Sequence, residues 1–132
     1  MTKWLSLKNR LKLFNIDGHS MLPVLENGDL VLAKSLLYSS SFRQGDIIVF
    51  TSIMYPNSFF VKRIIGLPGD TFQINNSSDK ITMNSDEFFV HGDNNLDSLD
   101  SNKLGPVKTD EIFGKVVFRL WPFNKIGIIN SF

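Results

Sequence analysis

A lysine inside an apolar run is a candidate base, and Lys62 stands in Phe59-Phe60-Val61-Lys62-Arg63-Ile64-Ile65. On a strand, alternate side chains share a face, which groups Lys62 with Phe60 and Ile64 and sends Arg63 to the other side with Val61 and Ile65. Large apolar neighbours desolvate an amine, disfavour its ammonium form and lower its pKa. A lysine base working near neutral pH must fall by roughly three units from ~10.4, at a cost of about 4 kcal/mol. The competing reading is structural: the stem covers apolar surface while the ammonium reaches water.

A lysine base needs a nucleophile. Ser20 lies in Gly18-His19-Ser20-Met21-Leu22-Pro23-Val24-Leu25, where Gly18 permits a sharp bend and Pro23 restricts Leu22, so the serine falls on an irregular turn. Its hydroxyl is a nucleophile if a base comes within hydrogen-bond reach; taken alone it is one of 14 serines. His19 suggests a Ser-His-Asp arrangement, but neighbours on an extended backbone point to opposite sides. The second histidine, His91, has no paired spacing with the first, so neither a metal site nor any other cofactor is expected.

The third candidate region, residues 92–107, is dense in Asn, Asp, Ser and Gly. Its bland reading is a long polar loop; loops of this length are uncommon in small domains and are often functional. Short polar side chains that bond local backbone would stiffen it. A stiff loop could present Ser98 as a hydrogen-bond partner for a neutral lysine amine and Asp100 as a counter-charge for Arg63.

Short strands must position these groups. Gly28-Asp29, Gly45-Asp46 and Gly69-Asp70 each precede an apolar run, a turn-then-strand grammar, although spacings of 17 and 24 residues do not make a sequence repeat. Pro68-Gly69 suits the middle of a type II turn. Further strands are expected over Phe59–Ile65, Ile81–Asn84, Glu87–His91 and Ile112–Trp121, with Asn75–Lys80 as a hairpin loop. The pattern predicts a mainly β fold, a small barrel or sandwich. Trp4, Leu7, Leu11 and Phe14 recur at helical steps and are flanked by Lys3, Lys8 and Lys12. They predict a short amino-terminal helix or arm over residues 1–14, either packed on an open barrel end or lying on an anionic membrane surface, ahead of a single domain over 15–132.

Composition limits the alternatives. The 132 residues suit one domain. The balance of 14 Lys+Arg against 13 Asp+Glu argues against a nucleic-acid partner held by phosphate contacts. With four bases in residues 1–14, the remainder carries 10 minus 13, or −3. The absence of cysteine removes disulfides and thiol nucleophiles. No stretch approaches the ~18 apolar residues of a membrane span, and the start lacks a secretory signal's pattern. The expected location is the cytoplasm, peripheral to the membrane at most.

Three blocks resemble the signal peptidase I family. Ser20-Met21-Leu22-Pro23-Val24-Leu25 is similar to its nucleophile box. Lys62-Arg63-Ile64-Ile65-Gly66-Leu67-Pro68-Gly69-Asp70 is similar to its general-base box. Gly92-Asp93-Asn94, with Ser98, Asp100, Ser101 and Gly105-Pro106-Val107, resembles its final box. The blocks stand in the family's order across most of residues 17–107. The resemblance implies the family's small, twisted β catalytic core. It also implies a serine endopeptidase with Ser20 as nucleophile and Lys62 as general base, Ser98 orienting the lysine, and Asp93, Asp100 and Arg63 bracing the site. The Ser20 N–H is the implied oxyanion donor, and a precursor polypeptide bound as an extended strand the implied partner. Phe118-Arg119-Leu120-Trp121-Pro122 and the short chain look most like the peptidases that mature nickel superoxide dismutase.

This sequence departs from the family pattern at Gly18, where some members place a hydroxyl donor, at Asn102, where an arginine is usual (Lys103 is adjacent), and at Val24, where threonine is common. Three other readings compete: general processing of exported proteins, an inactive peptide-binding β module, and a self-cleaving repressor-type regulator. The last needs an Ala-Gly or Cys-Gly cut site upstream of the serine, and the only alanine here is Ala33.

Overall fold

Three turns of one geometry frame the molecule. In the computed structural model, which describes residues 11–35, 42–73, 78–94 and 105–130, Gly28, Gly45 and Gly69 have φ of 90°, 94° and 91°, a region that favours glycine. In each turn the aspartate N–H donates to the carbonyl three residues back, and its carboxylate accepts that residue's N–H. The pairs are Asp29 with Glu26, Asp46 with Arg43 and Asp70 with Leu67. Each turn also locks onto one distant residue, Ile16, Ile64 or Met83, whose carbonyl accepts from the glycine N–H and whose N–H donates to the aspartate carbonyl. The irregular sequence spacing conceals a repeated geometry. At Leu67–Asp70 the Asp70 N–H to Leu67 carbonyl bond of 3.0 Å closes a turn with Pro68 and Gly69 in the middle, as expected.

The strands are β1 (Leu11–Asn15), β2 (Leu30–Lys34), β3 (Ile47–Ser52), β4 (Tyr55–Gly66), β5 (Thr71–Gln73), β6 (Lys80–Thr82), β7 (Glu87–His91), β8 (Val107–Lys108), β9 (Ile112–Trp121) and β10 (Gly127–Ile128). All pairings are antiparallel, in the order β1-β2-β9-β3-β4-β7-β8, with β10 beside β9 and β5-β6 forming a separate ribbon. The fold is mainly β, and the sheet is open: among the described residues no strand joins β1 to β4. Strands β7 and β9 match the expected spans, while β4 starts earlier because Tyr55 still pairs with Ser52. The β5-β6 hairpin forms as expected, with Lys80 inside β6; residues 74–77 of its connecting tract lie outside the described residues. No helix among the described residues is long and apolar enough to cross a membrane.

The helical stripe is corrected at its carboxyl-terminal half. Leu11 and Phe14 lie on β1, whose backbone pairs with β2 from Leu11↔Lys34 to Asn15↔Leu30. Strand pairing satisfies the same backbone groups that a helix would use. Leu11 and Leu13 point outward, while Phe14 stacks edge-on against Phe59 and Phe113. Trp4 and Leu7 lie outside the described residues.

β3 separates two cores. Ile47 and Val49 join Ile16, Met21, Leu25, Val31, Val116 and others on one side; Ile48 and Phe50 join Phe42, Ile64, Phe88 and Val90 on the other. The same alternation on β4 assigns Val61 to the first core and Phe60 and Ile64 to the second. β3 is therefore a continuous apolar run because both its faces are covered.

Where β9 runs beside the end of β2, a Cβ at Gly114 would strike the Lys34 carbonyl and lie 2.8 Å from the Ser35 Cα. Backbone cannot swing aside as a side chain does, so Gly114→Ala should cost about 1–3 kcal/mol in urea unfolding. Gly127→Ala, with nothing within 4 Å, should stay within about 0.5 kcal/mol of wild type.

Candidate active site

The segment after β1 carries Ser20, and apolar anchors hold it in place. The Leu22 N–H donates to the His19 carbonyl, and the Val24 and Leu25 N–H groups both donate to the Met21 carbonyl. Met21 and Leu25, 2% and 0% exposed, sink into the first core and leave Ser20 half-buried at its edge. Gly18 (φ 93°) makes the bend before it, its N–H donating to Asn27 Oδ1 at 2.8 Å. Arg119 of β9 holds the far end, its Nη1 donating to the Val24 carbonyl (3.0 Å) and to Asp29 Oδ2 (2.9 Å).

Lys62 pairs with Ile48 across β4 and β3 and is 3% exposed. That burial does not match a lysine whose head extends into bulk water. Ser20 and Lys62 line one cleft of about 380 Å³, walled by residues 14–21 on one side and 58–62 on the other. The cleft occupies the gap that keeps the sheet from closing. Among the described residues β1 pairs only with β2, and β7 pairs with β4 only at Arg63, Ile64 and Gly66. Among the described residues, residues 55–61 therefore have no strand on that side, and two strand edges face the cleft.

Arg63, next to Lys62, makes a two-pronged ion pair with Asp93: Nε to Oδ1 at 2.8 Å and Nη2 to Oδ2 at 2.7 Å, with side chains 7% and 17% exposed. Its Nη1 donates to the Gly45 carbonyl at 2.8 Å. The residue after Asp93 completes a strap. The Asn94 N–H donates to the Ser20 carbonyl (2.9 Å), and its Nδ2 donates to the His19 carbonyl (3.0 Å). The chain of connections Lys62–Arg63–Asp93–Asn94–Ser20 is therefore continuous.

Of the sequence-derived site residues, Ser20, Lys62, Arg63 and Asp93 are brought together. Ser98 and Asp100 lie outside the described residues, as do Asn102 and Lys103. His19 is exposed at the cleft, whereas Nδ1 of His91 meets the Gly92 carbonyl at 2.6 Å, beside Arg63 in the β4–β7 register. Sequence reasoning missed two positioning residues, Asn94 and Arg119. An asparagine after Gly-Asp, able to donate from both backbone and amide, was the available signal for the first; nothing local marked the second.

Arg63→Met should destabilise the protein by about 3–5 kcal/mol in urea unfolding, because it leaves the Asp93 carboxylate largely buried without its partner. Lys125→Met, which breaks the exposed Lys125–Glu26 pair (3.0 Å), should change stability by no more than about 1 kcal/mol.

Comparison with known proteins points to one family. A family model described as signal peptidase, peptidase S26, matches residues 5–87 and 78–121. Signal peptidase I of Bacillus caldolyticus is 33% identical over 148 residues, covering 85% of this chain and 80% of that protein. Mitochondrial inner membrane protease subunit 1 of Schizosaccharomyces pombe is 38% identical over 110 residues, covering 80% and 70%. Signal peptidase I U of Bacillus subtilis is 33% identical over 147 residues, covering 87% and 78%. The fold, the order of the blocks and these relatives agree: the chain belongs to the signal peptidase family, peptidase S26.

Proposed function

We propose that the protein is a serine endopeptidase with a Ser20/Lys62 dyad that removes an amino-terminal leader from a precursor protein. The observation that carries this reading is that Ser20 and the buried Lys62 line one cleft between two strand edges. The substrate enters as an extended strand, its backbone pairing with the edges of β1 and β4. The neutral Lys62 amine takes the Ser20 proton as Oγ bonds to the scissile carbonyl carbon. The Ser20 N–H stabilises the oxyanion. The resulting ammonium passes its proton to the leaving amine as the C–N bond breaks. Lys62 then deprotonates a water, which attacks the acyl carbon and releases Ser20.

Around the dyad, Arg63 and Asp93 hold the base strand against the nucleophile turn. Ser98 is assigned the orientation of the lysine amine, and Asp100 a second carboxylate for Arg63. Gly18 supplies no side-chain donor to the oxyanion; removing one such donor typically costs about 10²–10³ in rate, so either a backbone group substitutes or the reaction is slow. The precursor we favour is that of nickel superoxide dismutase, on the resemblance of the carboxyl-terminal block; general processing of exported precursors is the alternative, favoured by the names of the relatives. We place the enzyme in the cytoplasm and assign any contact with an anionic membrane to residues 1–14, which carry Lys3, Lys8, Arg10 and Lys12.

Co-expression with the nickel superoxide dismutase precursor should yield a shortened product with wild type and none with Ser20→Ala or Lys62→Met. Mass spectrometry of the precursor checks this, and equal processing by either variant removes that residue from the mechanism. With wild type, the cleavage rate should rise between pH 5 and 9 as the amine loses its proton, since only the neutral form accepts one from serine; a flat profile counts against a lysine base.

A further inference from the structure

At the end of the cleft away from Ser20 and Lys62, one cation is held over three rings. Phe14 of β1 and Phe59 of β4 both line the cleft and meet edge-on with centroids 5.1 Å apart, and Phe113 stands 5.5 Å from Phe14. The Lys12 ammonium lies over this cluster, 5.1 Å from the Phe59 centroid, 5.5 Å from Phe14 and 5.9 Å from Phe113. Lys12 is exposed, and among the described residues no carboxylate lies within ion-pair distance of it.

The arrangement does more than park a surface lysine. An exposed ion pair is usually weak because ordering a long, flexible side chain offsets the Coulomb gain. Here the rings hold the ammonium through cation–π attraction before any partner arrives, which reduces that ordering cost. Charge also differs between the two ends. Asp17, three residues before Ser20, lines the wall near the nucleophile, and Lys12, just outside the lining, stands over the Phe14 and Phe59 rings that line the other end. An acidic side chain is repelled near the cut and attracted away from it. From Lys62 to Phe59 is three strand residues, roughly 10 Å at ~3.3 Å each, so the ammonium meets a substrate side chain about three to five positions from the scissile bond.

We infer that Lys12 is a specificity-determining residue that selects peptides carrying Asp or Glu three to five residues from the cut. This rests on the reading of the cleft as a peptide site. The test is cleavage of a randomised synthetic dodecapeptide mixture by wild type, Lys12→Met and Lys12→Glu, with products sequenced by mass spectrometry. Wild type should enrich Asp and Glu about two- to fivefold at one position in that interval. Lys12→Met should cleave without that enrichment, and Lys12→Glu should shift the preference to Lys and Arg. Raising ionic strength from ~0.05 to ~0.5 M should shrink the wild-type enrichment, as expected for an exposed pair. Cleavage by wild type without acidic enrichment, or the same enrichment in Lys12→Met, overturns the inference and leaves the peptidase reading intact. No cleavage by folded wild type overturns the peptidase reading, and the inference falls with it.

Discussion

The site depends on one ion pair and the hydrogen bond next to it. Arg63 grips Asp93 through two parallel bonds, and Asn94 donates to the Ser20 carbonyl. Lys62 and Ser20 are 42 residues apart in the chain and lie on different elements, so nothing local fixes their relation. The strap turns that separation into a short mechanical path. A largely buried ion pair is a poor source of net stability, since desolvating both partners offsets most of the attraction. Its forked geometry instead fixes position, because a guanidinium that binds both carboxylate oxygens and the Gly45 carbonyl has little freedom left.

The rest of the scaffold repeats this logic at lower cost. Asp29 and Asp46, 2% and 0% exposed, each close a Gly-Asp turn and then meet a base on β9, Arg119 at 2.9 Å and Lys115 at 3.0 Å. Those aspartates are acceptors for backbone N–H groups that the turns would otherwise leave unsatisfied. β9 thus ties together the turn behind the nucleophile and the turn against which Ile64, two residues past Lys62, is locked. The cleft lies where the sheet fails to close, and the residues that wall it belong to strands held from behind by these pairs.

Much of this was legible in the chain. The Gly-Asp turns announce themselves because a turn of this shape needs glycine at one position and a short carboxylate at the next. β7 and β9 carried clear strand composition between turn residues. The amino-terminal segment misled because Leu11 and Phe14 sit at a helical step, while Leu-Lys-Leu-Phe-Asn also fits a period of two. The exposed edge of β2 decided between these patterns, and that edge is a property of the sheet rather than of the segment. Burial of Lys62 was suggested by Phe60 and Ile64, but the pairing of Arg63 with Asp93 rather than another acid required the fold. So did the parts played by Asn94 and Arg119, whose partners lie 74–75 and 95 residues away.

The central claim is chemical: the amine of Lys62 is uncharged under working conditions. Selective ¹³C labelling of lysine side chains and an NMR titration of each Cε resonance tests this directly, with Lys62→Met supplying the assignment. The account predicts that Lys62 titrates well below ~10.4, the value of an unperturbed lysine side chain. A Lys62 resonance that titrates together with the exposed lysines would contradict it.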